Sequence, residues 1–207
     1  MPSLKRPLYV FDPRLRNGLG AYRSIGTGRI VSNNVVRSTL FDYIDYKTTD
    51  ELSRRLISRE ISLAQWQQEM RYLISDGHLT SYALAKGGWD QLTNEDFRLL
   101  GEILTREYRY LDRFAAEVAE GSFALDGRLR VRAGLYEEQF YSTYAFAEAR
   151  VQEFRGATEE RSVLDPGADH CGTCIAEAAK GWIPIGTGLP IGGRECLSRC
   201  RCHKEYR

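Results

Sequence analysis

From Thr48 onward the apolar positions recur at three- and four-residue steps, and before it they do not. Leu63, Trp66, Met70, Leu73, Ile74 and Gly77 fall on one face of a helix, opened by Ser62 and Gln65 at capping-box spacing. Thr93 caps a second helix whose stripe is Phe97, Leu100, Leu104, Tyr108, Leu111, Ala115 and Val118, and Gly121 ends it. A third runs from Leu129 to Phe154 with Tyr136, Phe140, Tyr144, Ala147 and Val151 on its inner face. Thr48 and Glu51 repeat the capping-box spacing ahead of a short helix. The aromatic rings of the third helix repeat at helical spacing, which makes them core rather than a stacking platform for bases.

Residues 1–48 lack this period. Glycines punctuate short β-branched and aromatic runs such as "RIVSNNVV" and "LFDYIDY", which predicts an extended arm with one or two short strands. Tyr9, Phe11, Tyr22, Phe41, Tyr43 and Tyr46 are its candidate anchors on a partner. The tail from 161 to 207 changes again, to glycine, proline and cysteine. The expected fold is therefore mainly α. It has an arm over 1–48, a small helical bundle over 49–160 and a cysteine-rich knuckle over 161–207, with separate cores in bundle and knuckle.

Charge narrows the partners. The 29 Lys and Arg against 28 Asp and Glu leave no general attraction to nucleic acid or an anionic membrane. No apolar run approaches the roughly 18 to 20 residues that span a bilayer, and the N-terminus lacks the apolar core of a secretion signal. Synthesis in a cytoplasm is expected, where disulfides are disfavoured.

All five cysteines lie in the tail, as Cys171, Cys174, Cys196, Cys200 and Cys202, in the pattern C-x2-C, a long gap, then C-x3-C-x-C. Two such knuckles brought together supply the four tetrahedral sulfur ligands that Zn2+ prefers. The favoured set is Cys171, Cys174, Cys196 and Cys200, with Cys202 as the alternate because one intervening residue strains joint ligation with Cys200. Disulfides across the gap are the competing outcome. Arg194, Arg199, Arg201, Lys204 and Arg207 concentrate positive charge beside the knuckle, so a zinc module contacting DNA is a second reading. An enzyme is not expected: nucleophile elbow, P-loop, zincin and dinucleotide motifs are missing, and "GTGLPIGG" follows no clear strand and opens no helix. Of the three histidines, His78 falls at the end of a helical pattern as a surface or boundary residue.

The stretch "RSVLDPGADHCGTCIAEAAKGWIPIGTGLPIGGRECLSRCRC", behind a helix rich in tyrosine and alanine, resembles the C-terminal part of the phage Mu F-type head morphogenesis, or minor capsid, proteins. The shared features are the C-x2-C pair, the Gly/Pro-rich loop and the "CRC" ending. Where the family commonly has a His-Pro dipeptide before the last cysteines, this chain reads "CLSRCRC", so Cys196 stands where the histidine ligand would. The resemblance implies a virion protein of the head or head-tail connector, assembled in the bacterial host cytoplasm. It would contact capsid, portal or neck proteins and associate with itself in a symmetric assembly.

Overall fold

The computed structural model describes residues 9–12, 21–32, 35–36 and 47–207. Among them the chain is mainly helical. A three-stranded sheet, β1 (Tyr9–Asp12), β2 (Ala21–Ser24) and β3 (Ile30–Val31), precedes helices α1 (Lys47–Ile57), α2 (Leu63–Lys86), α3 (Asn94–Ala119) and α4 (Gly127–Phe154). The tail contributes β4 (Glu159–Val163), α5 (Gly172–Ala179), β5 (Ile183–Pro184) and β6 (His203–Tyr206). Both sheets are antiparallel, with β2 central in the first and β4 central in the second. No described helix is long and apolar enough to cross a membrane.

The caps form much as their residues dictate. The Ser62 hydroxyl accepts the Gln65 amide and the Gln65 side chain accepts the Ser62 amide, while Thr93 and Asp96 make the same reciprocal pair. Gly87 ends α2 with φ +96°, in the left-handed region that relieves the last carbonyls. At α1 the expectation is corrected. The helix already includes Lys47, so Thr48 lies inside its first turn, and the Thr49 amide donates to Glu137 Oε1 of α4 at 3.1 Å. A tertiary partner satisfies the orphan amide.

Helix α2 is central, packed against both α3 and α4, and α1 lies across α4 and α2. Trp66, Met70, Ile74 and Gly77 are buried on α2, as are all five expected inner residues of α4. On α3 the stripe is rotated. Phe97 is 52% exposed, while Asp96, Glu107 and Phe114 join Leu100, Leu111, Ala115 and Val118 inside. Asp96 turns inward because it closes the Thr93 cap and also accepts the Tyr82 hydroxyl at 2.8 Å and Lys86 Nζ at 2.9 Å. The next residue along a helix points about 100° away, so Phe97 faces outward.

Two apolar clusters result. One gathers Leu52, Leu56, Trp66, Met70, Ile74, Leu111, Phe114, Leu129 and Tyr136 at one end of the bundle. The other joins Tyr22, Tyr82, Leu100, Phe140, Tyr141, Tyr144 and Ala147 to Ile191, Cys174, Cys200 and Cys202 of the tail. Tyr22 of the arm is thus used within the chain: its ring is 1% exposed and its hydroxyl donates to the Ala85 carbonyl at 2.9 Å. That corrects its reading as an anchor for a partner. Of the other candidate anchors, the side chain of Phe11 and all of Phe41, Tyr43 and Tyr46 lie outside the described residues.

At Gly77, α2 packs directly against the Phe140 ring of α4. A Cβ built there would sit 2.0 Å from Phe140 Cζ. Gly77→Ala gains up to about 1 kcal/mol of helix propensity, but the Phe140 ring is buried and cannot simply swing away. Overpacking costs about 1–3 kcal/mol, so a net loss is expected. Urea denaturation of Gly77→Ala alone and with Phe140→Leu checks this, the second change recovering part of the loss. A Gly77→Ala protein as stable as the parent would mean the two helices part freely.

Candidate metal centre

Each cysteine pair brackets a helical turn. Cys171 is the N-cap of α5, and the amide of Cys174 donates to Cys171 Sγ at 3.4 Å, so C-x2-C places both sulfurs at the same helix end. Cys196 and Cys200 flank the 3-10 turn Leu197–Arg199. The chain leaves Cys200 extended, with φ −66° and ψ 122°. In extended backbone, residues two apart share a face. The single residue between Cys200 and Cys202 therefore does not separate Cys202 from the cluster.

The sulfurs meet around Cys174. Its Sγ lies 3.5 Å from that of Cys196 and 3.7 Å from that of Cys200. Two triads, Cys171–Cys174–Cys196 and Cys174–Cys200–Cys202, each have all ligand atoms within 4.8 Å and share Cys174. Cys174, Cys200 and Cys202 are buried, and Cys171 and Cys196 partly so. All five are free thiols, with no pair at bonding distance. Sulfurs bound tetrahedrally to zinc at about 2.3 Å lie about 3.8 Å apart, so the spacing fits a thiolate-bound ion. Clustered in this way, the cysteines can bind a metal.

Arg194 reaches the same point from the loop before Cys196. It is 2% exposed, with Nη1 3.8 Å from Cys174 Sγ and Nη2 donating to Ser162 Oγ of β4 at 2.7 Å and to the Leu189 carbonyl at 3.2 Å. Burial raises the Cys174 thiol, but hydrogen bonds from Arg194 and neighbouring thiols outweigh it and bring it down to about 7. Burial pushes Cys200 and Cys196 up, and Cys202 up to about 12. His170 Nδ1 stands 3.7 Å from Cys202 Sγ.

The glycine-rich loop is held by carboxylates of the chain itself. The amide of Gly188 donates to Glu160 Oε1 and that of Leu189 to Glu177 Oε2, both at 3.1 Å. Lys204 Nζ pairs with the same Glu160 oxygen at 2.7 Å, the two side chains being 9% and 1% exposed. The amides of Gly188 and Leu189 are thus committed within the chain, and the loop follows the short strand β5, which the sequence did not signal.

The knuckle does not have a core of its own, contrary to the expectation of separate cores. Tyr141 of α4 donates its hydroxyl to the Cys202 carbonyl at 2.8 Å, and Ser198 Oγ donates to Glu138 Oε2 at 3.1 Å. Gly192, with φ +86°, passes so close to α4 that a Cβ would lie 2.4 Å from Ser142 Oγ. Nor is His78 at the surface. It is 1% exposed, with Nδ1 2.7 Å from Thr143 Oγ1 and its ring edge-on to Phe140. Its place in the α2 stripe, four residues after Ile74 and eight after Met70, was the signal for burial.

The cysteine-rich tail on a helical body defines a candidate thiolate metal protein. No protein-family model, curated protein or solved structure matches the chain.

Proposed function

We propose that this chain is a structural protein of a tailed-phage particle, in the head or the head-tail connector. In this reading it acts in capsid assembly by contact with capsid, portal or neck proteins and with copies of itself, and one zinc ion pins its tail. The phage assignment rests on the C-terminal resemblance. The observation that carries the metal is the convergence of the sulfurs on Cys174 at 3.5 and 3.7 Å. Cys171, Cys174, Cys196 and Cys200 hold the ion, with Cys202 as alternate. Four sulfurs close the coordination sphere and leave no position for a reacting water, which suits a structural rather than a catalytic centre.

The DNA-contacting alternative draws less support from the placement of the cations. Arg194 is buried against Cys174 and Lys204 against Glu160, while Arg199 and Arg207 lie beside Glu138 and Glu159 at 3.4 and 2.7 Å. A patch already paired within the chain releases fewer counterions on DNA.

Protein purified under reducing conditions is expected to carry one zinc per chain by elemental analysis. Cys202→Ser should retain the ion and Cys196→Ser should lose it; the reverse outcome installs Cys202 as the ligand. A metal-free, folded tail with disulfides by mass spectrometry sinks the zinc reading alone. The assembly role has its own test, the copy number in purified particles. Six or twelve copies mean an axis-bound ring, hundreds mean a shell component, and absence from particles refutes the role.

A further inference from the structure

We propose that Arg194 is the built-in counter-charge of the sulfur centre, a positioning residue that ties Cys174 to β4 and the glycine-rich loop and offsets the negative charge of a metal-bound cluster; this rests on the zinc reading above. Arg194 is among the largest fully buried side chains of the protein. A guanidinium in such a place needs an anion or a full set of acceptors. Its hydrogen bonds go to a hydroxyl, a carbonyl and a cysteine sulfur, none to a carboxylate, and its Nε has no hydrogen-bond partner. Neither buried carboxylate of the knuckle hydrogen-bonds Arg194: Glu160 is held by Lys204 and the Gly188 amide, and Glu177, whose charge acts on Arg194 only through space, by Lys180 and the Leu189 amide.

The anion that matches this cation is the cysteine cluster. Four thiolates around a divalent ion carry a net charge of about −2, and one adjacent guanidinium halves it. Neutral thiols or disulfides carry no charge, and either would leave Arg194 with no anion in hydrogen-bonding contact. Its geometry also ties the centre to its support: Nη2 is anchored on Ser162 of β4 while Nη1 faces Cys174, so the ion, the sheet and the loop from Leu189 to Arg194 are fixed as one unit. Outer partners of this kind typically change metal affinity tenfold to a hundredfold.

The test is cobalt(II) binding under reducing conditions, read by thiolate-to-cobalt absorption in competition with a chelator. It compares the full-length parent chain with Arg194→Met, Arg194→Lys and Ser162→Ala, each checked for helicity by circular dichroism. Arg194→Met, similar in bulk but uncharged, is expected to weaken binding about tenfold to a hundredfold. Arg194→Lys should recover most of that loss because it restores the charge, and Ser162→Ala should give a smaller loss. Parental affinity in Arg194→Met overturns the proposal, and so does an Arg194→Lys protein that binds no better than Arg194→Met, which would mark the role as packing. If Arg194→Met fails to fold, Ser162→Ala decides, unchanged affinity counting against the proposal. A parent chain that takes up no cobalt overturns both this inference and the zinc reading, whereas a parent that binds beside an undiminished Arg194→Met overturns this one only.

Discussion

Cys174→Ser is expected to abolish metal uptake and to destabilise far more than the tail. Cys174 belongs to both sulfur triads, so neither possible set of ligands survives its loss. Structural zinc contributes on the order of 10 kcal/mol of apparent binding free energy in small domains, and that binding energy is folding energy. Cys174, Cys200 and Cys202 share one apolar cluster with Tyr22, Tyr82, Phe140 and Tyr144. Under the proposed zinc reading, loss of the ion should therefore loosen the tail, the C-terminal half of α4 and the strand that carries Tyr22. The cluster around Trp66, Phe114 and Leu129 lies at the other end of α4 and should keep its own protection. Thermal unfolding should show a loss of roughly 4 kcal/mol or more. Hydrogen exchange locates it: faster exchange from Phe140 to Val151 and in β4 and β6, with Trp66 to Ile74 least affected. If only residues beyond β4 lost protection, the tail would be an independent module after all.

Acid is expected to destabilise the fold through a buried histidine. Burial, with a smaller contribution from the nearby Arg106 charge, lowers His78 from an ordinary 6.5 to about 3. The native state thus keeps His78 neutral across a window in which the unfolded chain binds a proton. Stability is unaffected by this group above pH 6.5 and falls as the pH drops from there toward 3, by up to about 1.4 kcal/mol for each pH unit. The buried carboxylate of Asp96 acts lower down. Burial would raise it, but Lys86, Thr93 and Tyr82 hold it at about 2, so its stabilising effect is lost only as the pH falls below its ordinary 3.8. Urea midpoints between pH 7 and pH 5, taken on metal-free protein so that protons and metal do not compete for the thiolates, carry the His78 contribution. Glu107, whose carboxyl is pushed up by burial, opposes it, and a non-titrating His78→Asn isolates it. The parent should weaken over that interval and His78→Asn should flatten the profile. An equally sloped profile in both proteins would show that the loss comes from another group.

Helix positions, caps and the chemistry of the tail were legible in the chain itself. The periodic stripes of α2 and α4 place Trp66, Met70, Tyr136 and Tyr144 inside because each helix must bury one face, whatever it packs against. Ser62 and Thr93 cap because the acceptor and its amide lie three residues apart in the same turn. The concentration of cysteines in the tail likewise marked a sulfur centre, since short spacings already bring two thiols to one turn. Such features depend on neighbours in sequence, which a linear reading contains.

Contacts between distant residues were decided by the tertiary structure. Glu137 capping α1 across 88 residues, Tyr141 holding the Cys202 carbonyl across 61 and Tyr22 reaching Ala85 across 63 leave no periodic signature. Arg194 reads in sequence as one cation among several on a charged tail, and only the packing of the loop against β4 turns it inward to the sulfurs. Phe97 and Asp96 exchange roles for the same reason: hydrophobicity sets which residues prefer burial, but Tyr82 and Lys86, contributed by another helix, set which side of α3 is stabilised inside. The union of knuckle and bundle in one core follows from that logic. Composition divides the chain at the point where its residue types change, whereas folding joins whatever surfaces exclude water together.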